Sequence, residues 1–202
     1  AITSRTRLLL INTPHNPTGA VLSVADLRTL AEIVDGTDVI VLADEVYQHI
    51  IFDGLTHESL ARHDALAARG IVVGSFGKTY HATGWKVGYA AAPAALTAEL
   101  RKVHQFVTFS TSTPMQHAIA EFLGSERGLA EISPFFQAKR DRFLELMQGS
   151  RFVPLPSHGS YFQLMDYSAI TDEPDDSFAI RLTKERGVAS IPTSPFLYTA
   201  TA

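Results

Sequence analysis

The stretch Leu8-Leu9-Leu10-Ile11, then Ser23-Val24-Ala25-Asp26-Leu27-Arg28-Thr29-Leu30-Ala31-Glu32-Ile33-Val34, then Val39-Ile40-Val41-Leu42-Ala43, decides the fold. Its two outer pieces are short continuous apolar runs, the pattern of strands buried on both faces. Between them, Leu27, Leu30, Ile33 and Val34 recur at helical spacing. Ser23 is a candidate N-cap with Asp26 three residues on, and Gly36 stops the helix. Strand, helix and strand in succession imply a crossover connection and a parallel pair, whose ligands bind beyond the carboxyl ends of the strands.

Two further runs, Ile71–Val73 and Val87–Ala92, read as buried strands of the same sheet. Past Pro93 a long helical stretch puts Leu96, Leu100, Val103 and Val107 on one side. A second helix begins at Ser133-Pro134, carries Phe136, Phe143, Leu144 and Met147, and ends at Gly149. From Phe152 the texture changes to Pro, Ser and Gly around strand-like pieces at Tyr161–Met165 and Val188–Ile191, with an amphipathic helix near Asp176–Arg186 between them. The expected fold is α/β, a mainly parallel sheet sandwiched by helices over residues 1–149, followed by part of a small α+β C-terminal domain over 150–202.

The 202 residues are 46% hydrophobic, enough for a substantial core. A formal charge of −4 with no long basic run gives no electrostatic reason to expect nucleic acid or a membrane surface, which favours a small-molecule partner. With no cysteine there is neither a disulfide framework nor a thiolate metal site, and the cytoplasm is the expected location. Leu8–Ile11 is too short for a signal-peptide core, and no segment approaches the roughly 18 apolar residues of a membrane helix. The chain starts almost directly in a strand and stops at Pro195-Phe196-Leu197-Tyr198-Thr199-Ala200-Thr201-Ala202, which reads as a piece cut from something longer.

Polar motifs follow the apolar runs. Asn12-Thr13-Pro14-His15-Asn16-Pro17-Thr18-Gly19 makes a rigid turn that presents Asn16, although such residues also build plain connections. Asp44 sits at the lip of the second run, where burial is costly without a cationic partner, and Tyr47 adds a phenol close by. Gly74-Ser75-Phe76-Gly77-Lys78-Thr79 and Gly84-Trp85-Lys86-Val87-Gly88 set a serine and two lysines among glycine turns, a combination able to bind phosphate. Gly77-Lys78-Thr79 imitates the end of a Walker A loop, but the first glycine of that motif would fall on Val72, and the acidic strand precedes the lysine instead of following it. None of the eight histidines falls in a recognised ligand spacing, so no metal is expected.

Taken in order, Asn16-Pro17-Thr18-Gly19, Asp44 with Tyr47, and Ser75-Phe76-Gly77-Lys78 followed by Thr83-Gly84-Trp85-Lys86-Val87-Gly88 resemble the class I/II aminotransferases of pyridoxal-phosphate (PLP) fold type I. Ser75 to Pro93, with Lys102-Val103-His104-Gln105-Phe106, is most similar to the methionine and kynurenine (glutamine) branch. The resemblance covers nearly the whole chain, including Gly159-Ser160-Tyr161-Phe162 and Gly187-Val188-Ala189-Ser190-Ile191-Pro192. It implies PLP held as a Schiff base on Lys78, with Asp44 paired to the pyridine nitrogen. It further implies Asn16 and Tyr47 on the ring oxygen, and Ser75 and Lys86 on the phosphate.

The implied activity moves an amino group from a methionine-, glutamine-, aromatic or kynurenine-like amino acid to a 2-oxo acid, in a homodimer with ping-pong kinetics. The same residues serve carbon–sulfur β-lyases of this fold. The family's glycine-containing phosphate loop, its ring-stacking aromatic residue and its carboxylate-clamping arginine belong to segments before Ala1 and after Ala202. Arg181 and Arg186 are poor substitutes for that arginine, so a catalytically incomplete PLP-binding fragment is a further reading. A binding domain of the kind attached to transcription regulators finds no DNA-binding helix or basic patch here.

Overall fold

In the computed structural model, which describes residues 2–124 and 129–197, the first apolar run is β1 (Leu8–Asn12) and the helical segment is α1 (Val24–Val34). Ser23 caps α1 reciprocally: its Oγ accepts from Asp26 N at 3.2 Å, and its own N donates to Asp26 Oδ2 at 2.7 Å. The chain continues through β2 (Ile40–Asp44), the short helix α2 (Asp64–Ala67), β3 (Gly70–Ser75), the single turn α3 (Phe76–Thr79) and β4 (Gly88–Ala91). Leu27 and Val34 of α1 pack with Val39, Val41, Ala43, Leu60, Leu66 and Val72 into one buried cluster. The helix is therefore held by its apolar stripe as well as by its cap.

The sheet order is β1-β2-β3-β4, with β1/β2 and β2/β3 parallel and β3/β4 antiparallel. Register places Asn12 beside Asp44, and Ser75 beside Gly88. Because β4 runs back, its beginning meets the end of β3, so the loop carrying Lys78 and Lys86 emerges at the edge where β1 and β2 also finish. The expected fold class is the one observed. The expectation that all four runs are buried is corrected: Leu8 and Leu10 are 50% and 62% exposed, and β4 is exposed throughout. Among the described residues, only β2 and β3 are flanked by strands on both sides.

Three helices follow: α4 (Ala94–Val107), α5 (Thr113–Leu123) and α6 (Leu129–Leu146). Nothing in the sequence reading anticipated α5. Ser133-Pro134 lies inside α6, not at its start. As at least the sixth residue of the helix, Pro134 has no N–H to donate to the Ala130 carbonyl, so α6 forgoes one interior bond there. The apolar side of α4 has no buried residue in this chain.

β5 (Val153–Pro154) pairs with β6 (Met165–Asp166), and α7 (Asp175–Arg186) ends at Gly187, which is left-handed at φ +69. The strand expected over Tyr161–Met165 therefore shrinks to Met165 and its successor, and Val188–Ile191 forms none. A strand needs a ladder partner, and Val188–Ile191 has none among the described residues. Residues 198–202, part of the chain end that reads as abrupt, lie outside the described residues.

The chain divides into two compact units. The first runs from the start of the chain to Gln148 and takes back Pro154–Leu164; the second comprises Gly149–Val153 and the chain from Met165 onward. In the first, Tyr47, Ile50, Phe52 and Ile132 form a second core, with Phe136 and Phe162 against it. Arg140 of α6 grips both carboxylate oxygens of Asp53 at 2.7 and 2.6 Å, and also Ser157 O at 2.9 Å. Phe52 N donates to His158 O, Ser160 N to Ile50 O, and His158 N to Gly19 O. Gly19 is required there: φ is +70, and a Cβ would stand 2.1 Å from Ser157 Oγ. In the second unit, Phe178 packs on Phe152 and stacks on Tyr167.

Candidate active site

Asn12, the polar residue that ends β1, organises the first corner. Its Nδ2 donates to Asp44 O at 2.9 Å and its Oδ1 accepts from Asn16 N at 2.7 Å, so the Asn16 turn is tied to the end of β2. The Thr13–Pro14 and Asn16–Pro17 peptides are cis, and His15 Nδ1 is 2.8 Å from Thr18 Oγ1. Asp44 Oδ1 accepts from Val46 N at 3.2 Å, and its second carboxylate oxygen has no hydrogen-bond partner among the described residues.

Tyr47 joins this corner to the lysine loop. It is buried, and its phenol is held well above the ordinary tyrosine range, first by burial and then by its hydrogen bond to Tyr161 and the negative charge of Asp44; a bond to Asn16 works the other way. Lys78 Nζ lies 5.9 Å from the Tyr47 ring centroid and 5.9 Å from that of Tyr161, and donates to the Tyr161 hydroxyl at 3.2 Å. The two rings meet edge to face at 5.2 Å.

The second corner is a cavity of about 320 Å³ lined by Ser75, Gly77, Lys78, Thr83, Lys86 and their neighbours. Ser75 caps α3, its Oγ accepting from Gly77 N at 3.2 Å. Lys86 is exposed and left-handed at φ 55. Two lysines and two hydroxyls with no carboxylate in the lining make this a place for an anion.

The six residues singled out in the sequence thus collect at one edge of the sheet. Asn16, Asp44 and Tyr47 interact with one another, Tyr47 reaches Lys78, and Lys78 shares a cavity with Ser75 and Lys86. Sequence reasoning missed three participants. Asn12 is legible in retrospect as the polar residue closing an apolar run. Tyr161 stands 83 positions from Lys78, and no spacing links them. Glu45 is wholly buried beside Asp44, its carboxylate bonded to His57 Nε2 and Leu60 N, both at 2.8 Å. Among the described residues no cluster of potential ligands could hold a metal ion, and no helix is long and apolar enough to cross a membrane.

Comparison with known proteins agrees with this arrangement. The family model for aminotransferase class I and II matches residues 1–201. The methionine aminotransferase of Escherichia coli (strain K12) is 46% identical over 196 residues, covering 96% of this chain and 51% of the relative. Kynurenine–oxoglutarate transaminase 1 of Homo sapiens is 37% identical over 213 residues, covering 96% and 50%. The crystal structure of YbdL from Escherichia coli, identified as a methionine aminotransferase, superposes with a TM-score of 0.95 at 46% identity, covering 98% of this chain and 53% of the other. The chain spans about half the length of the relatives it matches. On a family match along nearly its whole length and on its fold, the chain belongs to the class I and II aminotransferases.

Proposed function

We propose that this chain carries the lysine, phosphate-binding and ring-binding residues of a PLP-dependent aminotransferase. The observation that carries the reading is the juxtaposition at Lys78: an amine beside the Tyr47 phenol on one side and a cationic, hydroxyl-bearing cavity on the other. The residues fit the cofactor. The cavity suits its phosphate, with Ser75 as hydroxyl donor and Lys86 as point charge. The free oxygen of Asp44 suits a protonated ring nitrogen, and Asn16 and Tyr47 suit the ring oxygen. Assigning residues 1–149 to a large domain and 150–202 to a small one belongs to the same proposal.

When bound, PLP supplies an electron sink for the pair released at the substrate's α carbon. Lys78 would hold the cofactor by its amine, and Nζ, when free, would be the base that moves the substrate's α proton. Asp44 would pair with the ring nitrogen and keep it charged. Tyr47 stays a neutral hydrogen-bond donor at physiological pH, because its phenol is held far above that range.

Amino donors of the methionine, glutamine, aromatic or kynurenine type and a 2-oxo acid acceptor are proposed from the relatives' names, as are a homodimer and a cytoplasmic location from the family resemblance. The test is to mix the PLP-loaded chain with L-methionine, then separately with L-kynurenine, and quantify products. Release of the corresponding 2-oxo product, equal to the bound cofactor and without ammonia, is expected; a 2-oxo acid acceptor then gives parallel double-reciprocal lines. Pyruvate and ammonia from a cysteine conjugate, with no transfer to a 2-oxo acid, would make the chain a β-lyase instead.

A further inference from the structure

We propose that Tyr161 is the positioning residue for the Lys78 amine: its phenol oxygen fixes where Nζ stands and links it to Tyr47. The proposal rests on Lys78 being the reactive amine, as argued above. Lys78 has a flexible four-carbon stem and three donors, so some fixed acceptor must select one of its arrangements. Tyr161 is the acceptor that Nζ reaches, at 3.2 Å.

What qualifies Tyr161 is the rigidity behind it. Its ring lies nearly parallel to Phe136 at 5.8 Å, meets Phe162 at 4.9 Å, and stands edge-on to Tyr47 at 5.2 Å. The preceding Ser160 is fully buried, sits at φ 62, and ties its N to Ile50 O at 2.9 Å. The neighbouring Gly159 bridges Ile51, and a Cβ on it would meet Ile50 O at 2.8 Å and Pro14 Cβ at 2.8 Å. The hydroxyl is thus presented from a frame bolted to the Pro14 turn and to the chain after β2, the same two segments that carry Asn16 and Tyr47.

A hydroxyl oxygen that accepts from the amine fixes where that amine stands. Tyr161 therefore holds Nζ, whenever it is free, between two aromatic rings and beside Tyr47 instead of in solvent. Removing the hydroxyl while keeping the ring releases that hold without disturbing the packing.

Acetic anhydride labelling of the cofactor-free 202-residue chain, followed at a fixed pH by peptide mass spectrometry, tests this with Lys86 as internal standard. In Tyr161→Phe, labelling of Lys78 at a fixed pH is expected to speed up roughly three- to tenfold, because Nζ is no longer held against the hydroxyl oxygen. The Lys86 rate should stay put, and the thermal midpoint should hold because the ring remains. Tyr161→Leu removes the ring as well and reports the structural contribution. A Lys78 labelling rate in Tyr161→Phe equal to the parent's overturns the proposal, whatever Tyr161→Leu does to stability. If PLP does not attach to Lys78 in the parent chain at all, the proposed function fails, while the labelling comparison still decides the role of Tyr161.

Discussion

Glu45 and His57 show how much of the site's order is set by residues with no part in its chemistry. Glu45 is fully buried and bonds His57 Nε2 and Leu60 N at 2.8 Å, with Asp44 directly before it and Tyr47 two residues after it. His57→Ala leaves Glu45 Oε2 without its partner while Oε1 keeps Leu60 N, so it should lower unfolding stability by about 2 kcal/mol in urea titration. A loss below about 1 kcal/mol would mean that solvent reaches Glu45. Asp44 and Ser75 were legible as polar residues closing apolar runs, because burial stops where the strand stops; Asn12 follows the same rule but was passed over. Glu45 was not legible, because one buried acid next to another at a strand end looks the same in sequence whichever face it takes.

At the scale of elements, two caps carry testable weight. Ser23→Ala should destabilise α1 by about 1 kcal/mol, since it removes the acceptor for Asp26 N and half of a reciprocal pair. In α7, Asp175 accepts from Thr193 N at 2.7 Å and Ser194 N at 2.8 Å, and these bonds, the Ser194 ones foremost, lower its carboxyl from 3.8 to about 2. A depressed acid stabilises above its unfolded pKa and loses that contribution as pH falls through the folded one. Stability should therefore drop between pH 3.8 and about 2, and Asp175→Asn should flatten that part of the stability-against-pH curve. An unchanged slope in the variant would show that the Thr193–Ser194 turn does not depend on the carboxylate. The first helix was readable because its cap, its apolar stripe and its stop agree. α5 was passed over although Met115, Ala118, Ile119, Phe122 and Leu123 recur at helical spacing in Thr113–Leu123. Val188–Ile191 was misread because apolar, β-branched residues mark a strand only where a partner exists.

For the whole first unit, the decisive arrangement is long-range. The chain from Ser157 to Phe162 returns to Gly19 and Ile50, and that return brings Tyr161 to Lys78. No local pattern encodes it; it depends on a glycine that must accept positive φ and close contact at once. Gly19→Val should loosen this docking, and Tyr161 should lose its hold on Lys78 before the sheet melts. The parallel part of the sheet, β1 to β3, was legible from runs alternating with helix, whereas the antiparallel return of β4 was not. The central claim is that Lys78 alone, of the lysines at 78, 86, 102, 139 and 184, is the amine that takes the cofactor. The measurement is to add PLP to the purified chain, reduce with borohydride, and map the modified peptide, with Lys78→Ala in parallel. The account predicts a yellow protein, label confined to Lys78, and no label in the variant; label spread over Lys86 and the other lysines, or retained in Lys78→Ala, would contradict it.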